Sequence, residues 1–191
     1  ILLFWLASGS FEVVAWFYVT LALWIVLALI LDMYQNTRNK RQRLSALFGQ
    51  NWSYYGMWMG HSGMAVCILG VAATLYYSDE RDVRMQPDDI VVLSDYEFRF
   101  LGVDQVEGPN YLADRGLIEV RQDDELIARM YPEKRRYLSS GNVMTEAAMK
   151  PRLFVDLYVA LGEPVGDDAW AVRVHYKPFV RWIWIGGAMI G

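Results

Sequence analysis

From Phe11 to Leu31 the sequence reads FEVVAWFYVTLALWIVLALIL, in which Glu12 is the one charge. An apolar run of this length crosses a hydrocarbon core of about 30 Å at about 1.5 Å per residue, and predicts a transmembrane helix over residues 11–31. A second run, Tyr54 to Tyr77 (YYGMWMGHSGMAVCILGVAATLYY), holds no Asp, Glu, Lys or Arg in 24 residues and predicts a second span over 54–77. A third opens at Phe179 and is still apolar at Gly191, about half of the roughly 20 residues a span needs, and predicts the start of a final transmembrane helix over 179–191. Ile1 to Ala7 (ILLFWLA) is apolar without an initiator Met or a basic n-region, so residues 1–10 read as the end of a preceding membrane segment. The membrane part therefore reads as cut at both ends.

Between Ser78 and Pro178 the pattern changes to short segments in which polar and apolar positions alternate. DIVVL, YEFRFLGV, GLIEV, LIARMY, LFVDLYVAL and AWAVRVHY have the period of two that places alternate side chains on one face of a sheet. Gly108-Pro109-Asn110, Asp114 to Gly116, Gly141-Asn142 and Gly166-Asp167-Asp168 supply turn signals between them. About six strands in such a block predict a small antiparallel sandwich or barrel. A single helical turn is expected near Met144 to Met149.

Composition agrees with this division. Hydrophobic residues make up 54% of the chain and aromatics 15%, above the usual soluble content. The segment 32–53 between the two spans carries Arg38, Lys40, Arg41 and Arg43 against Asp32, and short basic loops stay in the cytoplasm. Residues 78–178, with 20 acidic against 13 basic side chains, are then placed on the opposite side of the membrane, which is the periplasm if the membrane is a bacterial inner membrane. Lys177 and Arg181 lie on that outer side, against the basic bias, but long external domains cross largely regardless of charge. The fold class expected is an integral membrane α-helical protein with an extracytoplasmic antiparallel β domain, set in a lipid bilayer and without a nucleic-acid partner.

The candidate chemistry centres on His61, an ionisable side chain in a charge-free span, where such groups face protein, water or a cofactor. Gly56, Gly60, Ser62 and Gly63 surround it, and small residues let another helix approach or leave room for a flat macrocycle. Periodicity leaves two readings open: a histidine hydrogen-bonded to a neighbouring helix, and an axial haem ligand. Met57, Met59 and Met64 are of a type that can complete haem iron, but their spacing selects none of them. Cys67 is the single cysteine, which excludes an intrachain disulfide and a CxxC site and suits a packing role. His175 stands alone in a strand pattern and reads as a structural or surface residue. The cluster Lys134, Arg135 and Arg136 in PEKRRY reads either as a solvated strand end or as a contact for a haem propionate or an acidic partner. No phosphate-binding glycine loop or Ser-His-Asp pattern occurs.

The blocks GHSGMAV, MQPDD, YEFRFLGV, EGPNY, YPEKRRY, MTEAA, DLYVALGEP and AWAVRVHYKPFVRWIW, in this order, resemble the C-terminal region of the CcmF family, the cytochrome c haem lyase subunits. The related haem lyase subunits that serve cytochrome c nitrite reductase share similar blocks. The resemblance implies a multi-span inner-membrane protein that works with a haem chaperone, thiol-handling subunits and apocytochrome c. It also implies that His61, in GHSGMAV, is one of two axial ligands of a resident haem b, the second lying outside this chain. His175 departs from the aromatic that the family pattern puts there. The other function class in play is a non-catalytic membrane scaffold whose periplasmic domain docks partner proteins.

Overall fold

A computed structural model describes residues 13–38, 48–166 and 168–191. The chain divides into two compact units, one formed by residues up to Tyr76 together with Phe179–Gly191, the other by Tyr77–Pro178. The preceding segment expected over 1–10 and most of the basic loop, residues 39–47, lie outside the described residues.

The first unit is helical. Helix α1 spans Val13–Thr37 and α2 spans Trp52–Tyr77, and both are long and apolar enough to cross a membrane. Helix α1 runs six residues past the expected end at Leu31, so Asp32, expected in the loop, sits inside the helix. It is held there by polar partners: Asn36 Nδ2 donates to Asp32 Oδ1 (3.1 Å), and the Tyr54 hydroxyl donates to Oδ2 (2.8 Å). A short helix α3, Val180–Ile190, closes the unit. It packs against α2 through glycine. A Cβ placed on Gly63 would lie 2.7 Å from Gly186 O, and one on Gly186 would lie 2.6 Å from the Cys67 nitrogen, so the two backbones touch. Cys67 therefore contributes to a helix contact, as its small size suits.

Among the described residues the second unit holds ten strands: β1 (Asp79–Met85), β2 (Ile90–Leu93), β3 (Tyr96–Glu107), β4 (Tyr111–Gln122), β5 (Glu125–Met130), β6 (Glu133–Tyr137), β7 (Val143–Glu146), β8 (Ala148–Pro151), β9 (Val155–Pro164) and β10 (Trp170–Pro178). They form two antiparallel sheets, β1-β10-β9-β8 and β2-β3-β4-β6-β7, with β5 also paired to β4. The alternation read from the sequence sets which face is buried. Val155, Leu157, Val159 and Leu161 of β9 point inward, as do Phe98 and Phe100 of β3, Ile118 and Val120 of β4, and Val172 and Val174 of β10. Full burial of side chains of this size is worth roughly 1.5–3 kcal/mol each, so this shared core holds the sheets face to face. Gly102, at φ +131°, takes up a register shift in β3 that a side chain would resist.

The structure corrects the strand count. Strand β1 and strands β6 to β8 were not expected, and Met144 to Met149 form strand segments rather than a helical turn.

Candidate functional site

His61 lies in the first half of α2, exposed within this chain. Its Nδ1 is 2.8 Å from the carbonyl oxygen of Met57, one turn earlier on the same helix. A carbonyl oxygen can only accept, so this contact is a hydrogen bond in the tautomer that carries the proton on Nδ1 and leaves the lone pair on Nε2. This is the tautomer an imidazole needs to bind a metal through Nε2, with the second nitrogen held by a protein acceptor. The donor chemistry and the space around it fit a haem iron: Cβ atoms placed on Gly56 or Gly60 meet nothing within 4 Å.

The glycines of this helix differ in what surrounds them. Gly63 and Gly70 meet α3, whereas Gly56 and Gly60 leave open surface in this chain. Helical periodicity puts Tyr54, Met57, Met64 and Ile68 on the face of His61. Met64 is exposed and Met57 half-buried, and nothing in the geometry selects either as a ligand.

A polar chain that sequence reading did not find starts on this same face. Trp58 Nε1 donates to the Tyr54 oxygen (3.0 Å), and that hydroxyl donates to Asp32 across to α1. Its one sequence signal is an acid at the end of an apolar run, which reads equally well as the first residue of a loop.

In the β domain His175 is 8% exposed on β10, with the edge of the Tyr158 ring against it at a centroid distance of 4.9 Å. Glu80 Oε2 lies 3.1 Å from its Nδ1 but without the direction of a hydrogen bond. Burial lowers the His175 pKa, Glu80 opposes that shift, and Lys177 and Arg173 reinforce it. The neighbouring Arg173 is committed to Asp82 by a two-pronged ion pair of 2.5 and 2.6 Å. Among the described residues no group of three or more His, Cys, Asp and Glu is placed to hold a metal ion.

The PEKRRY cluster is largely occupied by the domain's own acids. Lys134 pairs with Glu163, and Arg135 bonds Glu133 at 2.8 Å while lying 4.5 Å over the Tyr111 ring. Arg136 is exposed.

The family model described as the CcmF C-terminal beta-sandwich matches residues 76–178. The cytochrome c-type biogenesis protein CcmF of Pseudomonas aeruginosa is 48% identical over 171 residues, covering 90% of this chain and 26% of that protein. CcmF of Escherichia coli is 47% identical over 148 residues, 78% of this chain and 23% of that one. The cytochrome c-type biogenesis protein NrfE of Haemophilus influenzae is 30% identical over 94% of this chain and 26% of its own length. A solved structure titled cytochrome c heme lyase CcmF shares the fold, with a TM-score of 0.76 at 18% identity over 98% of this chain and 31% of that one. The chain thus spans about a quarter of the length of these relatives.

Proposed function

The chain belongs to the CcmF family, and from that premise we propose that it is the C-terminal part of a bacterial inner-membrane haem lyase that attaches haem covalently to apocytochrome c. In this reading the β domain faces the periplasm, and the working partners are a haem chaperone, thiol-handling subunits and apocytochrome c. Identity of 48% to a CcmF protein against 30% to NrfE supports general cytochrome c maturation over service to nitrite reductase.

The residue that carries the reading is His61, as axial ligand to a haem b whose second ligand comes from outside the chain. The supporting observation is the 2.8 Å contact of its Nδ1 with Met57 O, which suits the tautomer that offers Nε2 to a metal. When bound, haem supplies one-electron chemistry, and the proposed use is to reduce the iron of incoming haem. The chain's own contribution would be to hold the iron through the His61 ring, whose Nδ1 is engaged with its own helix at Met57 O. Gly56 and Gly60, lacking side chains, keep the flank of that helix low where a macrocycle needs room.

The test uses the full-length protein purified from membranes. His61→Ala is expected to lose most of its haem in a pyridine haemochrome assay while still inserting into the membrane, and His175→Ala is expected to retain it. Haem content and spectrum equal to wild type in well-folded His61→Ala protein would refute the ligand assignment.

A further inference from the structure

A chain of side-chain hydrogen bonds joins α1 to α2. Both carboxyl oxygens of Asp32 accept, Oδ1 from Asn36 Nδ2 (3.1 Å) on its own helix and Oδ2 from the Tyr54 hydroxyl (2.8 Å) on the other. The same hydroxyl accepts the Trp58 indole N–H at 3.0 Å. Tyr54 thus spends its proton on α1 and a lone pair on α2, and donation to a carboxyl oxygen makes it the better acceptor for the indole. Asp32, Tyr54 and Trp58 are all half-buried. Polar groups in an apolar span are costly unless each meets a partner, and here each does.

Helix geometry sets this chain beside His61. At about 100° per residue, Tyr54 and Trp58 fall roughly 20° and 60° to one side of the histidine, and Gly60 and Gly56 roughly 100° and 140° to the other. Trp58 precedes His61 by three positions, a spacing that puts the two Cβ atoms about 5–6 Å apart. The two flanks of the imidazole are therefore unlike. One carries an indole tied through Tyr54 to a second helix, and the other carries glycines at which an added Cβ meets nothing within 4 Å. An indole has few rotamers, and a hydrogen bond at its Nε1 selects among them.

We propose that Asp32 and Tyr54 are positioning residues for the haem held at His61: they lock the Trp58 indole as a wall on one flank, so that the macrocycle takes the glycine flank. The inference rests on the haem reading of His61 proposed above. A wall that cannot swing keeps solvent from that side of the iron, and solvent exposure is one of the levers that set a haem potential. Asp32 acts through Tyr54, and Tyr54 acts through Trp58.

The experiment uses full-length protein purified in detergent with its haem. Tyr54→Phe keeps the ring and removes both hydrogen bonds. Trp58→Phe removes the indole but leaves the bond between Tyr54 and Asp32 that joins the helices, and Asp32→Asn keeps an oxygen acceptor for the hydroxyl. Tyr34→Phe on α1 removes an exposed side chain's hydroxyl outside the chain and serves as control. The readouts are the rate at which haem passes to excess apomyoglobin and the midpoint potential in a spectroelectrochemical titration. Tyr54→Phe and Trp58→Phe are both expected to lose haem several-fold faster than wild type and to share a lowered potential, while Asp32→Asn and Tyr34→Phe stay close to wild type. A wild-type rate and potential in Trp58→Phe overturns the proposal whatever Tyr54→Phe does, because the chain is then only a clasp between helices. Wild-type behaviour of Tyr54→Phe overturns it as well. Full haem content in well-folded His61→Ala protein overturns instead the ligand assignment on which the inference rests.

Discussion

Arg115 and Glu133 face each other as paired residues of β4 and β6, with Arg115 Nε 2.6 Å from Glu133 Oε1. Arg135 holds the other carboxylate oxygen at 2.8 Å, and the glutamate side chain is only 8% exposed. Burial by itself would raise the Glu133 pKa, but the hydrogen bonds from Arg135 and Arg115 outweigh it and the net shift is downward.

Removing the carboxylate leaves two guanidinium groups against a buried edge without their acceptor. Glu133→Ala is expected to destabilise the β domain by about 2–4 kcal/mol, and Arg136→Ala, on the exposed side of the same strand, by less than about 0.5 kcal/mol. Because the folded pKa lies below the ordinary 4.5, the Glu133 contribution is complete above that value and is lost as pH falls through the folded one. Denaturant titrations of both variants at pH 7 and pH 3.5 check this. An equal effect of Glu133→Ala at the two pH values would show that packing, not charge, accounts for the loss.

The same sign, in a higher pH range, is expected at His175. Its folded pKa lies below the ordinary 6.5 because the ring is buried, so the unfolded chain takes up the proton first as pH falls. Stability is complete above 6.5, declines below it, and levels off once pH drops under the folded value. Glu80 and Asp82 moderate the decline, whereas Arg173 and Lys177 steepen it. His175→Phe keeps the contact with Tyr158 and should show a flatter profile between pH 7.5 and 5 in denaturant midpoints. A slope equal to wild type would place the titration elsewhere.

The contact between α2 and α3 gives a third expectation. Gly186→Val introduces a side chain where a Cβ already falls 2.8 Å from that of Cys67, and should lower stability by about 1–3 kcal/mol. At Gly187 an added Cβ meets nothing within 4 Å, and Gly187→Val should unfold at a distinctly higher temperature than Gly186→Val in detergent. Coincident melting curves would mean that the helices do not rely on this approach.

Orientation is tested with reporter fusions to full-length protein. Alkaline phosphatase fused near Asp124 should be active and a fusion near Lys40 inactive, as the basic segment between the spans requires. The reverse pattern would invert the proposed placement of the β domain.

The spans were legible because nothing but apolar pattern is needed to recognise them, and His61 was singled out as a candidate because an ionisable group stands out inside such a run. The same logic misplaced Asp32: an acid at the edge of a span looks like a loop residue until the Tyr54 hydroxyl is seen to meet it from another helix. Strand β1, DERDVRM, hides its identity because Met85 alone is fully inside and five of its residues are charged; pairing with β10 makes it a strand. Strand β6 hides for a related reason, since its buried residue is Glu133, neutralised by arginines that no local pattern reveals. MTEAAM is rich in good helix formers, and that local preference is overruled by backbone pairing of β7 with β6 and of β8 with β9.

The adjacency of β1 and β10 also bears on how the membrane part assembles. A flexible loop as long as Tyr77–Pro178 would charge the pairing of α2 with α3 an entropy that grows with the logarithm of its length. Once the sandwich has folded, its two ends sit on neighbouring strands about 4.8 Å apart, and α2 and α3 are joined by the equivalent of a tight turn. The difference between a loop of that length and a turn of a few residues is about 3 kcal/mol. The folded sandwich thereby acts as a template for the pairing of α2 with α3.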